Sequence, residues 1–145
     1  MATFKSFEDI EAWKKARELT MAVYTISRQD LFARDFGLRD QIRRASVSIM
    51  ANIAEGYERG GTKEFSQFLS IAKGSVGELK AHLYVALDQQ YFTKEHFDRL
   101  FGVATDIARL LGGLMNYLHR SRLKGTKFKP TNINSELETR NSKLT

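Results

Sequence analysis

The 145-residue chain has no cysteine and one proline, Pro130. The first absence excludes disulfides, thiolate chemistry and cysteine-based zinc sites, and it agrees with a reducing compartment. The second leaves the stretch from Ser6 to Arg122 without a helix-breaking residue of that kind, and that stretch reads with helical period. No apolar run reaches the roughly 18 residues of a membrane span, and the opening MATFKSFEDIEAWKKARE lacks the uninterrupted apolar core of a secretory signal. The expectation is a soluble, cytoplasmic protein with no membrane partner. A domain of this length removes roughly 70% of its unfolded surface from water, so no staple is needed.

Catalytic signatures are also missing. Bundle enzymes with two metals present Glu-x-x-His pairs on facing helices, and none occurs here. His82, His96 and His119 are scattered, and Glu78 with His82 at i, i+4 reads as a surface pair. No Gly-x-Ser-x-Gly elbow supports a nucleophile. Gly56 and Gly61 have phosphate-loop spacing, but Thr62 then Lys63 is the wrong order, and a helical pattern precedes where that loop needs a strand. GYERGGT reads instead as one helix end and the start of the next. No catalytic residue, metal or cofactor is assigned, and no enzyme is expected.

What is present is a set of four apolar stripes. Ser6 as cap, with Asp9 as its partner, starts a helix over about 7–28 along Ile10, Trp13, Ala16, Thr20 and Val23. Leu38, Ile42, Ala45, Ile49, Asn52 and Gly56 alternate steps of four and three over about 38–59. Thr62 as N-cap opens a third helix, about 63–89, along Phe65, Phe68, Ala72, Val76, Leu79, Leu83 and Ala86. Thr93 with Glu95 opens the fourth, about 94–122, along Phe97, Leu100, Ala104, Ile107, Leu111, Leu114 and Leu118. Short linkers force antiparallel neighbours, so residues 1–123 are expected to form an all-α, antiparallel up-down-up-down four-helix bundle. Residues 124–145, polar and mixed in charge, are expected to be a disordered tail.

Gly74, Gly77, Gly102, Gly112 and Gly113 fall inside the last two helices, where each costs on the order of 1 kcal/mol relative to alanine. Close helix contact is the ordinary compensation. The second helix adds Ser48, Ala51 and Ala54, more small surface than one four-helix core uses, so part of it is expected to pack against another subunit. Asn52, Glu55, Gly56, Gly74 and Gly77 are the structural candidates. Glu55 stands near a helix end where the macrodipole disfavours an anion. Either Arg59 pairs with it, or Asn52 and Glu55 hydrogen-bond from buried positions into the turn; both readings are open.

Lys and Arg total 23 against 17 Asp and Glu, a formal charge of +6, which favours anionic partners. Arg39, Arg43, Arg44, Arg59, Lys63, Lys73 and Lys80 are candidates for a phosphate-binding surface. Arg120, Arg122 and Lys124 begin RSRLKGTKFK, which has five basic residues and no acidic one. Asp40, Glu58 and Glu78 allow the other reading, a solvated salt-bridged face. Arg43 and Arg44 point roughly 100° apart, so at least one guanidinium is expected to be exposed. Helices this long do not suit a sequence-reading helix-turn-helix. Two functions stay open: binding of RNA or DNA through phosphates, and a protein-interaction scaffold with incidental charge.

The segments FEDIEAWKKARELTMAVY, LRDQIRRASVSIMANIAEGYE and FSQFLSIAKGSVGELKAHLYVAL resemble the four-helix-bundle proteins encoded within intervening sequences of bacterial 23S ribosomal RNA genes. Asn52-Ile53-Ala54-Glu55-Gly56 and Gly74-Ser75-Val76-Gly77-Glu78-Leu79 carry the resemblance most specifically, and Val76 and Gly77 depart from the family's alanines. The resemblance implies a compact antiparallel bundle, often a ring-like homopentamer, with no established enzyme activity. The fold is also similar to the accessory variability determinant of diversity-generating retroelements, a basic pentameric barrel that binds nucleic acid and a reverse transcriptase. By that analogy the expected partners are the chain itself, RNA or DNA, and a reverse transcriptase or other protein.

Overall fold

The structure, a computed structural model, describes residues 4–123. A 3-10 turn at Phe7–Asp9 precedes five α-helices: α1 (Glu11–Ser27), α2 (Asp30–Arg34), α3 (Phe36–Glu58), α4 (Thr62–Asp88) and α5 (Lys94–Leu123). The described residues contain no strand. α3 packs on α4, α4 on α5, and α1 on both α3 and α5, so the four long helices surround one hydrophobic core. The expected tail from residue 124, and Lys124 with it, lie outside the described residues. Among those described, no helix is long and apolar enough to cross a membrane.

The stripe of α5 is buried as its spacing predicts, at Phe97, Leu100, Ala104, Ile107, Leu111, Leu114 and Leu118. On α4 the core position belongs to Leu69, and its neighbour Phe68 is only half-buried. On α3, Ile53 takes the place expected for Asn52. The side chains of Ile42, Ile49, Ile53, Leu69, Leu79, Leu83, Ile107 and Leu111 are fully enclosed, and each such burial stabilises the fold by about 1.5–3 kcal/mol relative to exposure.

The chain ends and turns depart from expectation where tertiary contacts override local signals. The first α-helix begins at Glu11, not near residue 7, because Ile10 is extended and buried with Phe4. Ser6 makes no side-chain cap bond, while the Asp9 carboxylate accepts from the Lys5 amide at 2.7 Å. The link after α1 contains α2, whose Phe32 is 1% exposed and stacks on Tyr91 with ring centroids 5.1 Å apart. Asp35 then caps α3 two residues earlier than expected, its Oδ1 accepting from the Leu38 amide at 3.1 Å. Tyr91 donates to the other oxygen, Oδ2, at 2.8 Å, tying the α2–α3 corner to the α4–α5 turn. The Asp35 acceptor holds the Tyr91 hydroxyl proton and, with burial, raises its pKa above 10.0.

Two glycines make the α3–α4 turn. Gly60 has φ +79°, a left-handed conformation that ends α3, and the extended Gly61 leads into α4. Gly61 therefore holds the N-cap position, and Thr62, expected there, is the first helical residue. Thr93 does cap α5: its Oγ1 accepts from the His96 amide at 3.2 Å.

Candidate nucleic-acid interface

Arg43 and Arg44 line an open depression of about 540 Å³ between α1 and α3, with Tyr24, Asp40, Val47 and Ser48. Their adjacency on α3 turns them to different sides. Arg43 leans toward α1: its Nε donates to Ser27 Oγ at 2.8 Å, and its guanidinium carbon lies 4.7 Å from the Tyr24 ring centroid. Ser27 and Ser46 are themselves buried, and Ser46 Oγ donates to the Arg43 carbonyl at 2.8 Å. One face and one nitrogen of the guanidinium are thus committed to the fold. Its two terminal amino groups meet no protein acceptor among the described residues, so the headgroup is both oriented and available. Arg44 is exposed and has no carboxylate partner there.

The other basic candidates are dispersed rather than gathered on one surface. Arg39 is half-buried and largely occupied, donating from Nη1 to the Ala33 carbonyl at 3.1 Å and from Nε to Asp40 at 3.1 Å, over the Phe36 ring. Arg59 pairs with Glu55 at 2.8 Å at the end of α3 and covers Phe68. Lys63 is exposed at the start of α4. Arg120 and Arg122 are exposed in the last turn of α5, where a cation meets the negative end of the helix dipole favourably. Lys73 and Lys80 lie where α4 meets α5: Lys73 Nζ approaches Gly112, and Lys80 Nζ sits 4.8 Å from the Phe101 ring centroid. A single continuous patch of all these residues does not form among the described residues; in the Arg43–Arg44 depression two of them share a concave surface.

The structural candidates divide sharply. Gly56 is buried against α4, where an added Cβ would stand 2.6 Å from Phe68 Cβ. Gly74 and Gly77 are exposed and open, with nothing within 4 Å of an added Cβ, so close packing inside the protomer does not explain them. Gly102 is equally open, and Gly112 meets only the end of Lys73 at 4.0 Å. The buried reading of Glu55 is overturned: Glu55 and Arg59 side chains are 53% and 54% exposed, and their i, i+4 pair is the simple one. Asn52 turns back along α3, not into the turn, donating to Ser48 O at 2.8 Å and Ser48 Oγ at 3.0 Å. Ser48 Oγ meets Ser75 Oγ at 2.9 Å, so Asn52 helps to join α3 to α4 through two serines.

Tyr24 and Ser27, which aim Arg43, carried no sequence signal, because their relation to it spans two helices. Tyr84 did carry one: Lys73, Gly77, Lys80 and Tyr84 follow steps of four, three and four along α4. Among the described residues no group of three or more His, Asp or Glu could hold a metal ion.

An all-α protein with four long helices around one core, and with its charge on the outside of those helices, is the class that these observations define. The chain belongs to the 23S rRNA-intervening sequence protein family, whose model matches residues 8–113. It is also similar to the crystal structure of a protein with unknown function from the S23 ribosomal protein family of Bacteroides thetaiotaomicron, with a TM-score of 0.66 and 24% identity over 72% of this chain and 97% of that one. That likeness concerns the fold. No curated protein matches the chain in sequence.

Proposed function

We propose that this chain is a non-enzymatic, cytoplasmic homo-oligomer that binds structured RNA or another nucleic acid through phosphate contacts. The observation that carries the reading is Arg43, held by Ser27 and Tyr24 with its terminal amino groups open, beside the unpaired Arg44. A pre-oriented guanidinium loses little side-chain entropy when it meets a phosphate, and its planar fork matches two phosphate oxygens. The rRNA in the family's description makes RNA the first nucleic acid to test.

Two phosphate contacts per protomer give weak binding, with a dissociation constant on the order of 10⁻⁴ to 10⁻⁶ M at physiological salt. Assembly supplies what each copy lacks, since linked copies raise the effective concentration of every patch. The arrangement proposed is an up-down-up-down bundle, with copies joined in a ring, five by family resemblance. Exposed Ile71 and Val85 on α4, with Gly74 leaving room for a close neighbour, supply an apolar face for that contact. The test is binding of RNA and DNA duplexes at two salt concentrations, comparing the intact chain with an Arg43→Glu/Arg44→Glu variant.

The second reading is a scaffold for another protein, a reverse transcriptase among the candidates by analogy of fold. Exposed Leu31 and Phe36 at the α2–α3 corner favour it. Absence of binding to any nucleic acid, duplex or single strand, at low salt selects this reading over the first.

A further inference from the structure

Where α4 meets α5, away from Arg43 and Arg44, Tyr84 and two lysines share one surface, backed by the half-buried Phe101 and the buried Phe97. Phe97 and Phe101 are stacked, with centroids 5.2 Å apart. Tyr84 lies against both, tilted on Phe97 at 4.9 Å and edge-on to Phe101 at 5.6 Å, yet the residue is 51% exposed. Its ring is therefore fixed by two neighbours and half open to solvent. A half-exposed tyrosine of this kind offers a rigid apolar face with a polar tip, at little entropic cost to a ligand that stacks on it.

Charge lies in line with the ring. Lys80 Nζ is held over Phe101, and Lys73 stands two turns further along the same face of α4; neither has a carboxylate partner among the described residues. Of the nearby acids, Asp98 is paired with Lys94 at 2.7 Å and Asp106 with Arg109 at 3.5 Å, Glu78 meets His82 at 3.4 Å, and Asp88 lies one turn beyond Tyr84, past the end of the lysine line. Gly77, between the two lysines, adds no side chain, so a backbone passing along the stripe meets no obstruction there. From Lys73 to Tyr84 the stripe is about 16 Å long at 1.5 Å per residue.

A line of unpaired positive charge ending on a fixed, half-exposed ring suits an unpaired nucleotide strand. The lysines follow the phosphates, and the ring takes a base whose faces are free. A duplex offers the phosphates but keeps its bases stacked, so it gains nothing from Tyr84. We infer that the Lys73–Lys80–Tyr84 face of α4 is a binding site for single-stranded RNA or DNA, separate from the Arg43–Arg44 depression. The inference deepens the nucleic-acid reading by assigning the single strand its own surface.

The experiment measures fluorescence anisotropy of a labelled dodecauridylate and of a labelled RNA duplex with the full chain, at low salt. Three variants are compared: Tyr84→Phe, Tyr84→Leu, and Arg43→Glu/Arg44→Glu. Leucine keeps an apolar contact on Phe97 and Phe101 while removing the aromatic face, and a melting curve confirms that each variant folds. The expected result is that Tyr84→Leu weakens dodecauridylate binding about tenfold, Tyr84→Phe leaves it intact, and duplex binding is unchanged by either. The double arginine variant is expected to lose duplex binding while keeping the single strand. Equal single-strand affinity for wild type and Tyr84→Leu overturns the inference, as does an equal loss for both nucleic acids. A Tyr84→Leu chain that binds dodecauridylate as before but changes its mass in light scattering also overturns it, and assigns the face to contact between copies. If the duplex fails to bind while the single strand binds through Tyr84, the Arg43–Arg44 reading falls and this site stands.

Discussion

Gly56 of α3 and Phe68 of α4 meet so closely that a Cβ on residue 56 would stand 2.6 Å from Phe68 Cβ, with the Phe65 ring 3.1 Å away. Phe68 Cβ is fixed to the α4 backbone and the Phe65 carbonyl stands 3.4 Å away, so relief requires α3 and α4 to separate. Gly56→Ala is therefore expected to destabilise the fold by about 1–3 kcal/mol, despite alanine's better helix propensity. Gly102→Ala has open space and is expected to stabilise by roughly 1 kcal/mol. Thermal melts of the two variants should shift in opposite directions.

The Glu55–Arg59 pair makes a weaker demand on the fold. Both side chains are about half exposed, so water and salt screen the 2.8 Å contact. Glu55→Ala is expected to cost no more than about 0.5 kcal/mol, even with the dipole penalty that its removal relieves. A chemical denaturation midpoint is the appropriate measurement, and a loss above about 2 kcal/mol would require a buried contact for Glu55.

Tyr57 and Tyr91 set the alkaline limit. Burial raises the Tyr57 pKa above 10.0, assisted by the nearby charges of Glu58 and Asp9, while the bond to Asp35 is the main cause for Tyr91. With folded pKa values above 10.0, the unfolded chain releases these protons first. Their contribution is complete below pH 10.0 and is lost as the pH rises through the folded values. Stability of the wild type should fall as the pH rises above 10.0, and the Tyr57→Phe/Tyr91→Phe variant should show a flatter profile there.

Assembly is tested at Ile71, which is 52% exposed on α4 beside the open Gly74. A glutamate there places a charge in the proposed contact between copies and none in the protomer core. Ile71→Glu is expected to keep its helical circular dichroism and to elute as a monomer in light scattering at micromolar concentration. A wild-type chain that is monomeric under the same conditions contradicts the oligomer directly.

Legibility of the fold followed the clarity of each stripe. On α5 the stripe recurs at unbroken steps of three and four, and the buried set follows that period even where Phe101, Leu110 and Met115 stand beside it. On α4 the adjacent Phe68 and Leu69 both suit a core, and only the angle between packed helices decides for Leu69. On α3, Asn52 occupied a stripe position through its spacing, but Ile53 is the residue with apolar surface to bury. Helix α2 is too short at five residues to display a period, and its anchor Phe32 is explained by Tyr91 and Phe92, which lie far away in sequence. For the candidate interface, the identity of the basic residues was legible and their distribution was not. The Arg59–Glu55 pair follows from its i, i+4 spacing, but whether an arginine is bound to Ala33 or oriented by Tyr24 depends on how the helices meet.

The central claim, that Arg43 and Arg44 bind nucleic-acid phosphates, is tested most directly by the salt dependence of duplex RNA binding. Binding constants for wild type and the Arg43→Glu/Arg44→Glu variant, measured from about 50 to 200 mM salt, give the slope of log K against log salt concentration. Wild-type binding is expected to weaken steeply with salt, and the variant to bind more weakly, with a slope reduced by about one for each phosphate it no longer neutralises. Equal affinities and equal slopes for the two proteins, or no duplex binding at the lowest salt, would contradict the claim.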